Sequence, residues 1–330
     1  MVVRVLSLMP VRPERIIPAL MRTGVPKVQT TDKGKLFRFP FAAAPSDYDQ
    51  GEWRMKIRLI ATDMDGTFLD DEKQIPEANW QALLECAARG IQIVPATGRT
   101  VRGIPGRIRT LPGVRYAITT NGAVVADLKE DRIISTCRIP VDTALRVLEM
   151  ARDSGDDIMY DAYMDGIGCT TQYFYDHAER YAVSAGVAAL IRKTRRVVPD
   201  NIRYVKEMGK EIDKINMFFT DMEARKRMRV SLGQLPGILV TSSIPNNLEI
   251  NAAGADKGSA LLRLAEFLGI GREETMAFGD GENDLSMLRA AGLGVAMENG
   301  EEQVKQAADF VTVSNNDAGV ASAIRKFVLE

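Results

Sequence analysis

Histidine is nearly missing from this chain: His177 is the one imidazole in 330 residues. Without a second histidine, neither a His-activated nucleophile supported by other histidines nor a two-His metal site can be assembled. Cysteine is scarce as well. Cys86, Cys137 and Cys169 are odd in number and far apart, which fits neither a disulfide framework nor a zinc ribbon. None has an arginine six positions later, so a thiolate–arginine anion loop is excluded, and the three read as small apolar residues in a reducing, cytoplasmic compartment. No apolar run approaches the ~20 residues of a membrane span, and no Gly-x4-Gly-Lys-Ser/Thr run offers a P-loop. Excess charge of either sign is missing too: 43 Lys and Arg against 44 Asp and Glu give a net −1. No global positive field is available for a polyphosphate backbone, so nucleic acid is not expected as a partner. By elimination, carboxylates must carry the chemistry.

The first 54 residues have no helical or strand period, and Arg-Pro pairs and the stretch Phe37–Phe41 set them apart from the rest. Met1–Thr31 holds several arginines and one acid, Glu14, a faint organellar-import composition that stands as the alternative to a cytoplasmic location. Pro10, Pro13 and Pro18 break its apolar runs. Residues 1–54 are therefore read as an extension, with Met55 a workable start because a strand-like run follows it at once. From Met55 onward strands alternate with helices, the pattern of a mostly parallel sheet covered on both faces. The pattern is interrupted at Pro140 and resumes near residue 251. The expected fold class is α/β: a Rossmann-like three-layer core, residues 55–139 and 251–330, with an α+β cap inserted over 140–250.

The chemistry gathers at strand ends. Asp63-Met64-Asp65-Gly66-Thr67 follows the first apolar strand, and ligands of open α/β sheets bind at the carboxyl ends of strands. Asp63 and Asp65, two apart on extended backbone, point the same way; taken alone, the run is also compatible with a strand-ending turn. Gly279-Asp280-Gly281-Glu282-Asn283-Asp284 repeats the arrangement, and its bland reading is an acidic first helical turn. Four carboxylates so close would raise one another's pKa unless a cation neutralised them. All-oxygen ligands favour Mg²⁺, which commonly bridges carboxylates to a phosphate. Thr97-Gly98-Arg99 stands after the second strand, where the Thr97 hydroxyl and backbone N–H groups can bind an anion, or Thr97 can simply cap a helix. Lys257 opens a later helix and adds a point charge, unless it is an ordinary solvated lysine. Arg99 is read either as a substrate contact or as a tie between aspartates.

Taken together, Asp63–Thr67, Thr97–Arg99, Lys257 and Gly279–Asp284 resemble, in type and order, the four motifs of the haloacid dehalogenase superfamily. The insertion after Thr120-Asn121-Gly122-Ala123 is similar to that of its Cof-like, type IIB branch of sugar-phosphatase-like hydrolases. Met64 stands where leucine is more usual. The resemblance covers Met55 to the end and implies a Mg²⁺-dependent phosphomonoesterase acting on a small phosphorylated metabolite, a sugar phosphate foremost. By that resemblance Asp63 is the nucleophile and Asp65 the general acid and base. Thr97, Gly98, Arg99, Asn121 and Lys257 bind the phosphate or substrate, and Asp63, Asp65, Asp280, Asn283 and Asp284 serve the metal. A phosphosugar mutase is the competing enzyme, since the same phosphoryl group can be returned to a hydroxyl; a non-catalytic Mg²⁺ or phosphate-binding regulator is the competing non-enzyme. Within the insertion, Asp161, Tyr163 and Asp165 are candidate polyol contacts. The run Arg192, Lys193, Arg195, Arg196 reads as a solvated face, and His177 as an ordinary helix residue.

Overall fold

The computed structural model describes residues 56–330; the expectations for residues 1–54, and for a start at Met55, lie outside them. A five-stranded parallel sheet forms the centre, ordered 310–311, 293–296, 275–279, 59–62, 92–95. Leu59–Thr62 sits inside it, paired on one side with Thr275–Gly279 and on the other with Gln92–Pro95. All four of its residues are buried, which is why it reads as an uninterrupted apolar run rather than an alternation. Ile60, Met276 and Phe278 face helices Glu77–Ala88 and Gly319–Ile324, while Leu59, Ala61 and Ala277 face helices Lys257–Phe267 and Leu285–Ala290. The chain leaves Leu59–Thr62 for Gln92–Pro95 on one side and returns to Thr275–Gly279 on the other, so this strand is the switch point at which a ligand crevice opens.

Tyr116–Thr119 extends this layer through a parallel bridge of Ile118 to Ala96, then turns into an antiparallel meander with Val124–Asp127 and Arg132–Thr136. Residues 101–109 form two short turns, 101–103 and 106–109, because Pro105 cannot continue the first.

A second sheet carries six strands, ordered 238–241, 247–252, 214–219, 158–164, 167–171, 195–198, antiparallel except for the last pair. Helices Val141–Asp153, Asn201–Met208 and Met222–Leu232 pack on one of its faces around Ile158, Ala162, Ile215, Met217, Leu248 and Ile250. The architecture is thus an α/β core carrying an inserted α+β cap. The other face of the sheet holds the alternating partners of those residues: Asp161, Lys214, Asn216, Glu249 and Asn251, all buried.

Helix Lys257–Phe267 approaches the helix after the acidic loop so closely that a Cβ on Gly258 would lie 2.3 Å from the Ser286 carbonyl oxygen. Gly258→Ala must push the two helices apart. Its unfolding free energy in urea is expected to fall by about 2 kcal/mol, whereas Gly106→Ala, where a Cβ meets nothing within 4 Å, should change it by less than about 0.5 kcal/mol. Equal losses for the two variants would contradict the packing account.

Candidate active site

Asp63 is the first residue beyond Leu59–Thr62, and its N–H donates to the Phe278 carbonyl at 3.0 Å, continuing the parallel ladder and fixing where the carboxylate starts. Lys257, on the first turn of its helix, is completely buried rather than solvated. Its Nζ donates to Asp63 Oδ1 and Asp284 Oδ1, each at 2.6 Å. Asp284 Oδ2 in turn accepts the N–H groups of Asp280 and Gly281 at 3.0 and 3.1 Å, curling the acidic loop around itself. Asp280 accepts from the Thr67 hydroxyl at 2.6 Å. Gly66, between the two acidic segments, has φ +85°, and a Cβ there would fall 2.4 Å from Asp280 Oδ2; only glycine lets the turn pass beneath that carboxylate.

Asp63, Asp280 and Asp284 each place one oxygen within 4.8 Å of the others, a group that could hold a metal ion. Three carboxylate oxygens suit a hard cation. Asp65, expected beside them, stands outside this trio, and Asn283 precedes Asp284 in the acidic loop. Asp65 lies in the guanidinium fork of Arg99, at 2.8 and 2.7 Å, with Lys73 at 3.2 Å. Asn283 donates to Asn121 Oδ1 at 3.3 Å.

The carboxylates differ in charge state because their surroundings differ. Burial pushes Asp63 well above the usual aspartate range; Lys257 opposes this, and the charges of Asp284, Asp280 and Asp65 reinforce it. Burial, then the Asp284 charge, lifts Asp280 to about 7. Burial would raise Asp65 as well, but the hydrogen bonds and charge of Arg99, with Lys73, outweigh it and hold the group below its ordinary value. Lys257 is held protonated: desolvation disfavours its charge, but Asp284 and Asp63 overcome that and raise its pKa.

Thr97 is buried on the next strand end, and its hydroxyl accepts the Arg99 N–H at 3.1 Å. Thr97 and Arg99 carbonyls accept the N–H groups of Asn121 and Thr120, so the two turns are tied together. Asn121 donates to Glu249 Oε2 at 2.8 Å, a contact between core and second sheet. The structure links the expected site residues at the strand ends by hydrogen bonds or direct packing: Asp63, Lys257, Asp284 and Asp280 in one group, and Asp65, Arg99, Thr97, Gly98, Asn121 and Asn283 in another. The insertion's three candidates are divided: Asp161 and Tyr163 share the buried polar face, whereas Asp165 sits on an exposed turn paired with Lys210. The basic run is not wholly solvated either. Arg195 is buried against Asp161 at 3.0 Å, because it begins strand Arg195–Val198.

Lys214 and Glu249 were not singled out by sequence reasoning, yet both lie at the crevice, 2.6 Å apart and buried. Their signal was available: Lys214, Asn216, Glu249 and Asn251 alternate with apolar residues, the period of a half-exposed strand. The alternation cannot tell that the exposed face is covered by the core.

The sequence profile of the haloacid dehalogenase-like hydrolases matches residues 60–324. The chain is 31% identical over 277 residues to the 5-amino-6-(5-phospho-D-ribitylamino)uracil phosphatase YcsE of Bacillus subtilis (strain 168), covering 83% of this chain and 96% of that protein. Among solved structures, a haloacid dehalogenase-like hydrolase from B. subtilis superposes with a TM-score of 0.71 at 29% identity, over 82% of this chain and 100% of the other. A subclass IIB sugar phosphatase of the same superfamily superposes with a TM-score of 0.68 at 26% identity, over 83% and 100%.

A cation held by the acidic trio would compete there with protons. Burial and the Asp284 charge lift Asp280 to about 7 against an ordinary 3.8. Its stabilising contribution is thus complete below the lower value and lost as pH rises through the upper one. A divalent cation bound to the trio would restore what is lost. The rise in melting temperature produced by saturating Mg²⁺ is therefore expected to be several-fold larger at about pH 8 than at about pH 5.5. Differential scanning calorimetry at the two pH values checks this; an equal or larger rise at the acidic pH would contradict it.

Proposed function

Because this chain belongs to the haloacid dehalogenase-like hydrolases and is a phosphatase, we propose that it is a Mg²⁺-dependent phosphomonoesterase working through an aspartyl-phosphate on Asp63, with a sugar phosphate or a similar small phosphorylated metabolite as substrate. The observation that carries this reading is the fully buried Lys257 bonded to both Asp63 and Asp284, with Asp280 alongside. A nucleophilic carboxylate, a fixed cation and an all-oxygen metal set then share one small volume.

In this reading Asp63, Asp280 and Asp284 hold Mg²⁺, with Asn283 beside them. Bound there, the ion would lower the pKa of Asp63 and neutralise charge on the transferring phosphoryl group. An Asp63 oxygen attacks phosphorus and the ester P–O bond breaks. Asp65, two residues on, delivers a proton to the leaving alcohol and afterwards takes one from the water that hydrolyses the acyl phosphate. Asp65 can donate only while protonated, and the Arg99 fork opposes that. Arg99 therefore sets the pH range in which the acid works. Thr97, the Gly98 turn, Asn121 and Lys257 orient the phosphoryl oxygens. Residues 140–250 act as the cap that selects the alcohol, and the enzyme works in the cytoplasm. The names of two similar proteins, one a phosphatase of a phosphoribitylamino-uracil and one a sugar phosphatase, support a phosphorylated polyol.

Asp63→Asn keeps the size of the side chain and removes the nucleophile. Phosphate release from a panel of sugar phosphates and an aryl phosphate with Mg²⁺ is expected to drop by about a thousandfold or more. Turnover near the unsubstituted rate, with an unchanged circular dichroism spectrum, would exclude Asp63 as nucleophile.

A further inference from the structure

Thr120, Asn121 and Gly122 have φ values of 52°, 58° and 97°, three consecutive residues in the left-handed region. For a β-branched threonine this is a strained conformation, and such strain persists only where the surroundings over-determine it. Here the restraint comes from two directions. The core supplies the Thr97 and Arg99 carbonyls, which accept the N–H groups of Asn121 and Thr120 at 3.1 and 2.9 Å. The second sheet supplies Glu249, which accepts from Asn121 at 2.8 Å, and Asn251, which donates to the Thr120 carbonyl at 3.0 Å. Glu249 is itself paired with Lys214 at 2.6 Å, and Lys214 Nζ donates to the Gly98 carbonyl at 2.8 Å. One buried ion pair of the insertion thus grips both turns that border the phosphoryl site. Neither member makes a hydrogen bond or ion pair to Asp63, Asp65, Asp280 or Asp284.

We propose that Lys214 and Glu249 are positioning residues for the phosphoryl site: seated on Gly98 and Asn121, they hold the strained 120–122 turn and the 97–99 turn in the single alignment that presents Thr97 to the transferring group. The proposal rests on the phosphomonoesterase reading. It separates two kinds of insertion residue. Those that touch the leaving alcohol change the ranking among substrates, whereas Lys214 and Glu249 act on every ester, because the part they hold is common to all of them. The insertion then selects the alcohol and also completes the machinery, so a substrate that never touches it still depends on it.

Breaking a buried pair by removing one member leaves an uncompensated charge, so the informative variant removes both charges while keeping shape and the acceptor for Asn121: Lys214→Met with Glu249→Gln. Its kcat should fall at least tenfold on both an aryl phosphate and a sugar phosphate with KM changed less than threefold, while inhibition by inorganic phosphate weakens and the melting curve stays cooperative. Glu249→Gln alone, which disturbs the fold least, should lower kcat at least threefold on both esters. Unchanged kcat, or a loss confined to the sugar phosphate, would overturn the proposal. A failed phosphomonoesterase reading shows differently: the unsubstituted protein would then turn over neither ester, or Asp63→Asn would remain active.

Discussion

The site depends on the placement of one ammonium group. Lys257 Nζ lies between Asp63 and Asp284 at 2.6 Å from each, with no exposure to solvent. Two like charges held this close would repel strongly in a region that water does not reach, and one would take up a proton. The lysine's charge offsets that repulsion, although burial still leaves Asp63 well above the usual aspartate range, and the two carboxylates overcome the desolvation that would otherwise strip the lysine's proton. Its position follows from the fold. Asp256 caps the helix by accepting the Ser259 N–H at 2.8 Å, Gly258 permits the close approach to the Ser286 backbone, and Lys257 is thereby aimed at the strand ends.

The sheet topology explains why residues 194 and 27 positions away meet on that lysine. Leu59–Thr62 and Thr275–Gly279 are parallel neighbours in register, Thr62 opposite Phe278, so the residues just after each strand emerge side by side. Gln92–Pro95 emerges on the other side with Thr97 beyond it. Parallel strands place all their carboxyl ends at one edge, and three motifs far apart in sequence converge there without any long loop. The second sheet meets the same edge through Lys214 and Glu249, and the helix Met222–Leu232 packed on it meets the edge through Arg229, which pairs with Glu282 inside the acidic loop.

Much of this was legible in the sequence, and its limits have physical causes. The core strands announced themselves because they are buried on both faces, and the acidic runs because each follows an apolar strand. The insertion's α+β character was legible as well, but strand Arg195–Val198 was hidden inside the basic run and the function-facing side was obscured. A strand with one face on a helical layer and one face on another domain has the same alternating pattern as a strand facing water. Lys214 and Glu249 therefore looked ordinary, and Arg195 looked solvated, although all three are buried. Lys257 has the same ambiguity, resolved only by its motif neighbours. Charged residues read as exposed by default, and a single chain does not disclose which charge its folding will pair. Asp165 differs in the opposite sense: it parts from buried Asp161 and Tyr163 at the turn with Gly166, where φ is +74°, and sits exposed beside Lys210.

The remaining imbalance of charge indicates what the crevice is built to accept. Asp63 and Asp284 share Lys257, Asp65 has Arg99 and Lys73, and Glu249 has Lys214. Asp280 is different: its close partner is the Thr67 hydroxyl, which donates a hydrogen bond but supplies no charge. Burial and the Asp284 charge therefore lift its carboxyl to about 7, opposed by the Thr67 hydrogen bond and the unbonded charge of Lys257, while Asp65 is held ionised by its directly bonded cations. Five carboxylates meet four cations, and the one without a cation belongs to the trio whose oxygens lie within 4.8 Å of one another. A dianionic phosphate could not approach such a surplus of negative charge unaided, and another lysine would block the volume it must occupy. A small divalent cation supplies more charge in less space and leaves coordination positions open toward the phosphate. The unmatched Asp280 therefore supports Mg²⁺ more directly than the mere number of acids does, because it marks the point at which positive charge is missing.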